Sequence, residues 1–214
     1  AKEAIEYAVN YAEARGLKLG LDVVVSSKRA VENILSFVSE YSLPLFLDSP
    51  DPAVRIEMYR AARDLGVSDR SIANGIYVNT SREELEAIRD SGVKAAVLLA
   101  FDPANPHASI KPRDRLSIVR EKLLPLAGEA GVECVLLDAV VLDPASIAYS
   151  AEAVYLFKRE LGYPSGCAPA NALGPVSKKS LDLDDVYGVH GGVAALLRLF
   201  GADFIMYGPV KRIK

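Results

Sequence analysis

The chain has 214 residues, half of them hydrophobic, and a formal net charge of −3. That length supports one sizeable core and leaves too little for two comfortable domains, so a single domain over residues 1–214 is expected. The acidic balance without a lysine or arginine stripe argues against nucleic acid. Two cysteines, Cys134 and Cys167, are too few for a disulfide framework and form no CxxC pair, as expected of a reduced, cytoplasmic chain.

The elements alternate in period. An opening helical pattern starts at Ala1 without an initiator methionine, which suggests missing upstream sequence. LGLDVVVSS (19–27) reads as a strand, followed by the helical SKRAVENILSFVSEY, then by the strand LPLFLDS (43–49) and the helical DPAVRIEMYRAARDLG. SIANGIYVN (71–79) leads into SREELEAIRDSG, which opens on a capping box of Ser81 and Glu84. VKAAVLLAF (93–101) precedes a Pro-rich loop and a helix over roughly 113–130, and VECVLLDAVV (132–141) precedes a helix over 145–161. GCAPA (166–170) precedes a helix over 185–200, and DFIMYG (203–208) closes the series. AVLLAF and VLLDAVVL are strand-sized, and no apolar run is long enough to span a bilayer.

Strands alternating with helices predict βαβ units and a parallel sheet. Several runs are apolar throughout, as in parallel strands buried on both faces. Seven strands and seven helices, helix first, predict an α/β fold of the (β/α)8 TIM-barrel type, lacking its first strand and last helix. A doubly wound open sheet is the alternative, but no GxGxxG follows any strand.

In a barrel, chemistry belongs at the C-terminal ends of the strands. Asp48 ends LPLFLD, Asn74 falls in SIANG, Asp138 ends VECVLLD, and Asn171 follows GCAPA in the uncharged stretch GCAPANALGP. Asp22 sits earlier in its strand and would face the barrel interior. Aspartate and asparagine are poor strand formers, and a carboxylate buried without partners is costly. Four have a ready plainer explanation, and Asp138, inside an otherwise apolar strand, has the weakest one. Asp48 could cap the helix starting near Asp51, Asn74 could be a turn residue, Asn171 could bond its own backbone, and Asp22 could be a structural hub.

The other candidates are weaker. His107 and His190 have no spaced carboxylate and make no recognisable metal site. No GxSxG supports a serine nucleophile. Cys167 reads as a small buried hydrophobe, Lys178 and Lys179 as solvated, and Gly208 as a weak phosphate-loop signal. Aspartates and asparagines without metal or nucleophile suit a flat heterocycle rich in N–H donors and acceptors, such as a pterin.

The order and spacing of LPLFLDS, SIANGI, VECVLLDAVVLDP and YPSGCAPANA resemble the H-subunit family of tetrahydromethanopterin S-methyltransferase. More distantly they resemble methyltetrahydrofolate:corrinoid methyltransferases and dihydropteroate synthases, which are pterin-binding barrels. The resemblance implies methyl transfer between N5 of tetrahydromethanopterin or tetrahydrofolate and a cobalt(I) corrinoid (cobalamin) carried by a partner protein. It implies that Asp48, Asn74 and Asp138 hold the amino-pyrimidinone edge, that Asn171 approaches N5, and that Asp22 supports the site. Asn74-Gly75-Ile76-Tyr77 departs from the family's Asn-Ser-x-Asn at its second and last positions, so the pattern's second asparagine has no counterpart here. A homodimer, and attachment to a membrane-bound methyltransferase complex through partner subunits, are also implied. The competing expectations are a non-catalytic pterin-binding or assembly subunit and a dihydropteroate synthase-like enzyme.

Overall fold

A computed structural model describes residues 2–173 and 183–207. Pro175, Lys178, Lys179 and Gly208 lie outside the described residues. Seven strands run β1 (Leu21–Val24), β2 (Leu45–Asp48), β3 (Ser71–Ile76), β4 (Ala95–Leu99), β5 (Cys134–Asp138), β6 (Ser165–Cys167) and β7 (Phe204–Ile205). The helices are α1 (Lys2–Glu13), α2 (Lys28–Ser39), α3 (Pro52–Asp64), α4 (Arg82–Ser91), α5 (Pro112–Ile118), α6 (Leu124–Glu129), α7 (Ile147–Leu161) and α8 (Leu183–Leu199). A π-helical turn, Val119–Leu123, joins α5 to α6, so the single helix expected over 113–130 is interrupted. Among the described residues no helix is long and apolar enough to cross a membrane.

Strand order in the sheet follows chain order, β1 to β7, and every pairing described is parallel. A doubly wound sheet would reverse its order at a switch point. Sequential order with helical crossovers is that of (β/α)8 barrels.

The chain divides into two compact units, one of residues 20–102 and 118–136, the other of residues 1–19, 103–117 and 137–214. In the first unit β1, β2 and β3 alternate. Leu21, Val23, Leu45, Leu47 and Ala73 are buried, whereas Asp22, Val24, Phe46, Asp48, Ile72 and Asn74 are more open. The buried side is covered by apolar positions of α2 and α3, including Val31, Leu35, Met58 and Tyr59. Burial on both faces, expected from the apolar runs, holds for Ala96, Val97 and Leu98 of β4 but not for β1–β3. That second face of β1–β3 carries Asp22, Asp48 and Asn74 beside the apolar Val24, Phe46 and Ile72.

Gly75 is required where β3 shifts register against β4. A Cβ there would stand 2.6 Å from the Val97 carbonyl oxygen. In the second unit β6 pairs Gly166 with Phe204, and a Cβ on Gly166 would collide with the Phe204 carbonyl. Gly166 therefore serves close strand approach.

The helix starts refine two expectations. Asp51 caps α3 by accepting from Ala53 N at 2.9 Å, so Asp48 is not the cap. Ser81 accepts from Glu84 N at 3.2 Å, but the Glu84 carboxylate turns to Arg55 and the capping box is only half formed. A complete box occurs at Asp143 and Ser146, ahead of α7.

Candidate functional site

In the first unit, the strand register sets Asp48 beside Asn74, and Val24 beside Asp48. Asp22 stands two residues before Val24 on the same open face. Asn74 Nδ2 donates to Asp22 Oδ1 at 3.2 Å, so β1, β2 and β3 bring three of the expected site residues together. Asp22 reaches solvent, yet the strands crowd its carboxyl. That desolvation pushes its pKa up, and the bond from Asn74 partly offsets the rise. Asp48 is pushed to about 6, first by desolvation and then by the nearby Asp22 charge, with Arg55 and the Ser49 N–H opposing.

Behind Asp48 lies a group that the strand-end pattern did not indicate. Arg55 and Glu84 form a buried, two-pronged ion pair, Nε–Oε1 at 2.6 Å and Nη2–Oε2 at 2.9 Å. Arg55 Nη1 also donates to the carbonyl of Ser49, the residue after Asp48, at 2.6 Å. The Tyr77 ring lies under the guanidinium at 5.1 Å. At the end of β4, Asp102 is buried and held by Lys122 Nζ at 2.7 Å, so that carboxylate already has a cation.

In the second unit, Asp138 ends β5 opposite Gly166 and is 5% exposed. Its pKa is pushed to about 6 by desolvation, against the opposing Val140 N–H and Arg115 charge. Val140 N donates to Asp138 Oδ1 at 2.7 Å. The Arg115 guanidinium donates to the carbonyl of Ala139, the residue after Asp138, and to that of Val140 at 2.9 Å. Arg115 thus stands to Asp138 as Arg55 stands to Asp48: a buried arginine clamps the backbone one residue past a strand-end aspartate.

Asn171 lies in a helical turn over 170–173, after β6, with its N–H donating to Ala168 O at 3.2 Å. It is exposed, and its side-chain amide makes no hydrogen bond to any described residue. Cys167 is fully buried and its thiol pKa is pushed well up by burial, in keeping with a small hydrophobe. His107 is exposed, and His190 is buried with its ring 5.7 Å from that of Tyr207. Among the described residues no group of histidine, cysteine or carboxylate side chains could hold a metal.

Parallel strands in chain order define a β/α-barrel protein, and in its first unit Asp22, Asp48 and Asn74 form a polar candidate site on one open sheet face. Such a site suits a flat, hydrogen-bonding ligand. The chain belongs to the family of the tetrahydromethanopterin S-methyltransferase MtrH subunit, whose family model matches residues 1–214. The H subunit of this enzyme from Methanothermobacter thermautotrophicus is 28% identical over 196 residues, covering 86% of this chain and 63% of the relative. The corresponding Methanopyrus kandleri protein is 28% identical over 179 residues, covering 80% and 55%. The chain therefore spans less than two-thirds of the length of these relatives.

Two solved structures share the fold. Dihydropteroate synthase of Xanthomonas albilineans, in complex with indole-2-carboxylic acid and 6-chloroguanine, superposes with a TM-score of 0.60 at 20% identity. The match covers 99% of this chain and 81% of that one. Dihydropteroate synthase of Thermus thermophilus in complex with 4-aminobenzoate gives 0.58 at 21% identity, covering 97% and 84%.

Proposed function

We propose that this chain acts in transfer of a methyl group between N5 of a tetrahydropterin, tetrahydromethanopterin by family, and a cobalt(I) corrinoid on a partner protein. The observation that carries the reading is the Asp22–Asn74–Asp48 cluster on an open sheet face in a chain of this family. An ionised carboxylate accepts two N–H bonds from an amino-pyrimidinone edge, and an asparagine both donates and accepts. In this reading Asp48, Asn74 and Asp138 bind that edge, and Asp22 orients the Asn74 amide. Asn171, whose side chain makes no hydrogen bond to a described residue, donates to N5.

The corrinoid supplies the nucleophile for the methyl group and needs no ligand from this chain. As the C–N bond breaks its electron pair stays on N5, which takes up a proton from solvent, and a hydrogen bond donated by Asn171 strengthens toward the transition state as N5 gains basicity. The carrier of the corrinoid is a partner subunit, a second copy of the chain pairs with the first, and membrane association runs through other subunits of the complex.

Titration with methyltetrahydromethanopterin and with methyltetrahydrofolate, with and without a reduced corrinoid protein, tests the reading. Demethylation dependent on the corrinoid protein is the expected result. Binding without demethylation would leave a pterin-binding subunit, and no binding of either pterin would reject the assignment.

A further inference from the structure

Arg115 is fully buried, yet among the described residues no carboxylate forms an ion pair with it. Its counterpart Arg55 has Glu84 directly in hand. The Arg115 bonds instead run to neutral oxygens: Nε to Ser109 O at 2.8 Å, and Nη1 to the Ala139 carbonyl, Val140 O and Ser150 Oγ. Nη2 is buried with no hydrogen-bond partner among the described residues. Burying a charge and an unmet donor is expensive, so the arrangement calls for a compensating use.

That use lies in the backbone it grips. Val140 has φ of 57°, a left-handed conformation that a β-branched residue adopts only when its surroundings impose it. The Val140 carbonyl is held twice, by Arg115 Nη1 at 2.9 Å and by Ser150 Oγ at 2.6 Å. In that conformation the Val140 N–H points at Asp138 Oδ1. The other Asp138 oxygen makes no hydrogen bond to a described residue.

We propose that Arg115 is a positioning residue for Asp138: it locks Val140 in the left-handed conformation, fixing one carboxylate oxygen by the Val140 N–H and leaving the other for a ligand donor. The ligand named for that oxygen, the pterin edge, rests on the function proposed above; the positioning itself does not. The charged or titratable groups facing Asp138 are Arg115 and the neutral thiol of Cys167. Arg115 therefore also supplies the counter-charge at longer range.

The test compares the parent chain with Arg115→Gln, Arg115→Lys and the double variant Arg115→Gln/Val140→Gly. Two readouts apply: the Asp138 carboxyl titration by carbon-13 NMR without ligand, and the Kd for tetrahydromethanopterin at pH 7. Arg115→Gln raises the Asp138 midpoint and weakens the pterin by about tenfold or more. Arg115→Lys keeps the charge without the fork and gives a smaller rise. Glycine adopts positive φ freely, so Val140→Gly restores part of the affinity lost in Arg115→Gln, which a lost charge or a loosened core would not allow. An unmoved Asp138 midpoint in a folded Arg115→Gln variant, or no recovery in the double variant, would overturn the proposal. If Arg115→Gln does not fold, Arg115→Lys decides on the carboxyl titration. If the parent binds no pterin, the proposed function fails, while the Asp138 titration of Arg115→Lys, which keeps the charge, still decides the positioning role of Arg115.

Discussion

The side-chain amide of Asn74 donates to Asp22 at 3.2 Å across the full width of β2, joining residues 52 positions apart. This contact commits Nδ2 of Asn74 to Asp22 and presents its Oδ1 elsewhere. An amide so fixed offers a ligand an acceptor of known direction. Asp22 also sits close enough to Asp48 to help raise its pKa.

Two substitutions separate these effects. Asp22→Asn keeps an acceptor for Asn74 and removes the charge, so the Asp48 midpoint falls below about 6 while tetrahydropterin affinity holds within about threefold. Asp22→Ala removes both, and affinity falls by about threefold to tenfold. Carboxyl NMR and pterin titration on the same samples check the split. An unchanged Asp48 midpoint in Asp22→Asn would contradict it.

The candidate residues are legible in the sequence because strand-end polarity stands out against apolar runs. Asp48, Asn74 and Asp138 are visible for that reason, and Asp51 could be separated from Asp48 only once the cap on Ala53 was seen. The arginines behind the site were missed. Arg55 occupies the helical stripe shared with Tyr59 and Ala62, and Arg115 the stripe shared with Ile118 and Val119, where a charge signals a buried partner. The stripe was readable, but the partners were not. Glu84 lies 29 residues from Arg55, and the clamp of Arg115 on Ala139 spans 24 residues and uses backbone oxygens that carry no sequence signal. At Glu84 the local spacing favours a capping box, which the distant arginine overrides.

The Arg55–Glu84 pair makes a sharp stability test. Both side chains are almost wholly buried, and Glu84 accepts two bonds from one guanidinium. Glu84→Gln leaves Arg55 charged without its counterion and lowers unfolding free energy by about 3–5 kcal/mol. Urea denaturation at pH 7 measures this directly. A loss below about 1 kcal/mol would mean that the Ser49 carbonyl and solvent compensate Arg55. The Arg55 clamp on Ser49 predicts that pterin affinity falls as well, even under conditions where the variant stays folded.

Asn171 is expected to behave in the opposite way. Its side chain is exposed and makes no described hydrogen bond, so Asn171→Ala shifts the melting temperature little. Loss of this donor to N5 is expected to lower demethylation turnover by about 10²–10³, with a much smaller change in pterin affinity. Single-turnover demethylation with a reduced corrinoid protein, run beside equilibrium binding, distinguishes the two. Equal losses in both would make Asn171 a binding residue only.

The pH dependence should divide stability from binding. Asp48 is raised from 3.8 to about 6, so the folded chain holds its proton more tightly than the unfolded chain. Its contribution to stability is full below about 4 and is lost as pH rises through about 6. A shift of that size corresponds to about 3 kcal/mol, reduced to about 1–2 kcal/mol by solvent screening at this half-buried carboxyl. Asp48→Asn removes the titration, so the variant gains stability relative to the parent between about pH 4 and about pH 6.5 and holds a constant advantage above. Pterin affinity of the parent runs the other way, rising through the same window as Asp48 and Asp138 ionise and become acceptors. On the proposed function, the ionisation expected to ready these carboxylates for the pterin is also the one that weakens the fold. Thermal melts and tetrahydropterin titrations at matched pH values test this, and affinity that is flat between about pH 5 and about pH 7 would remove these carboxylates from the binding edge.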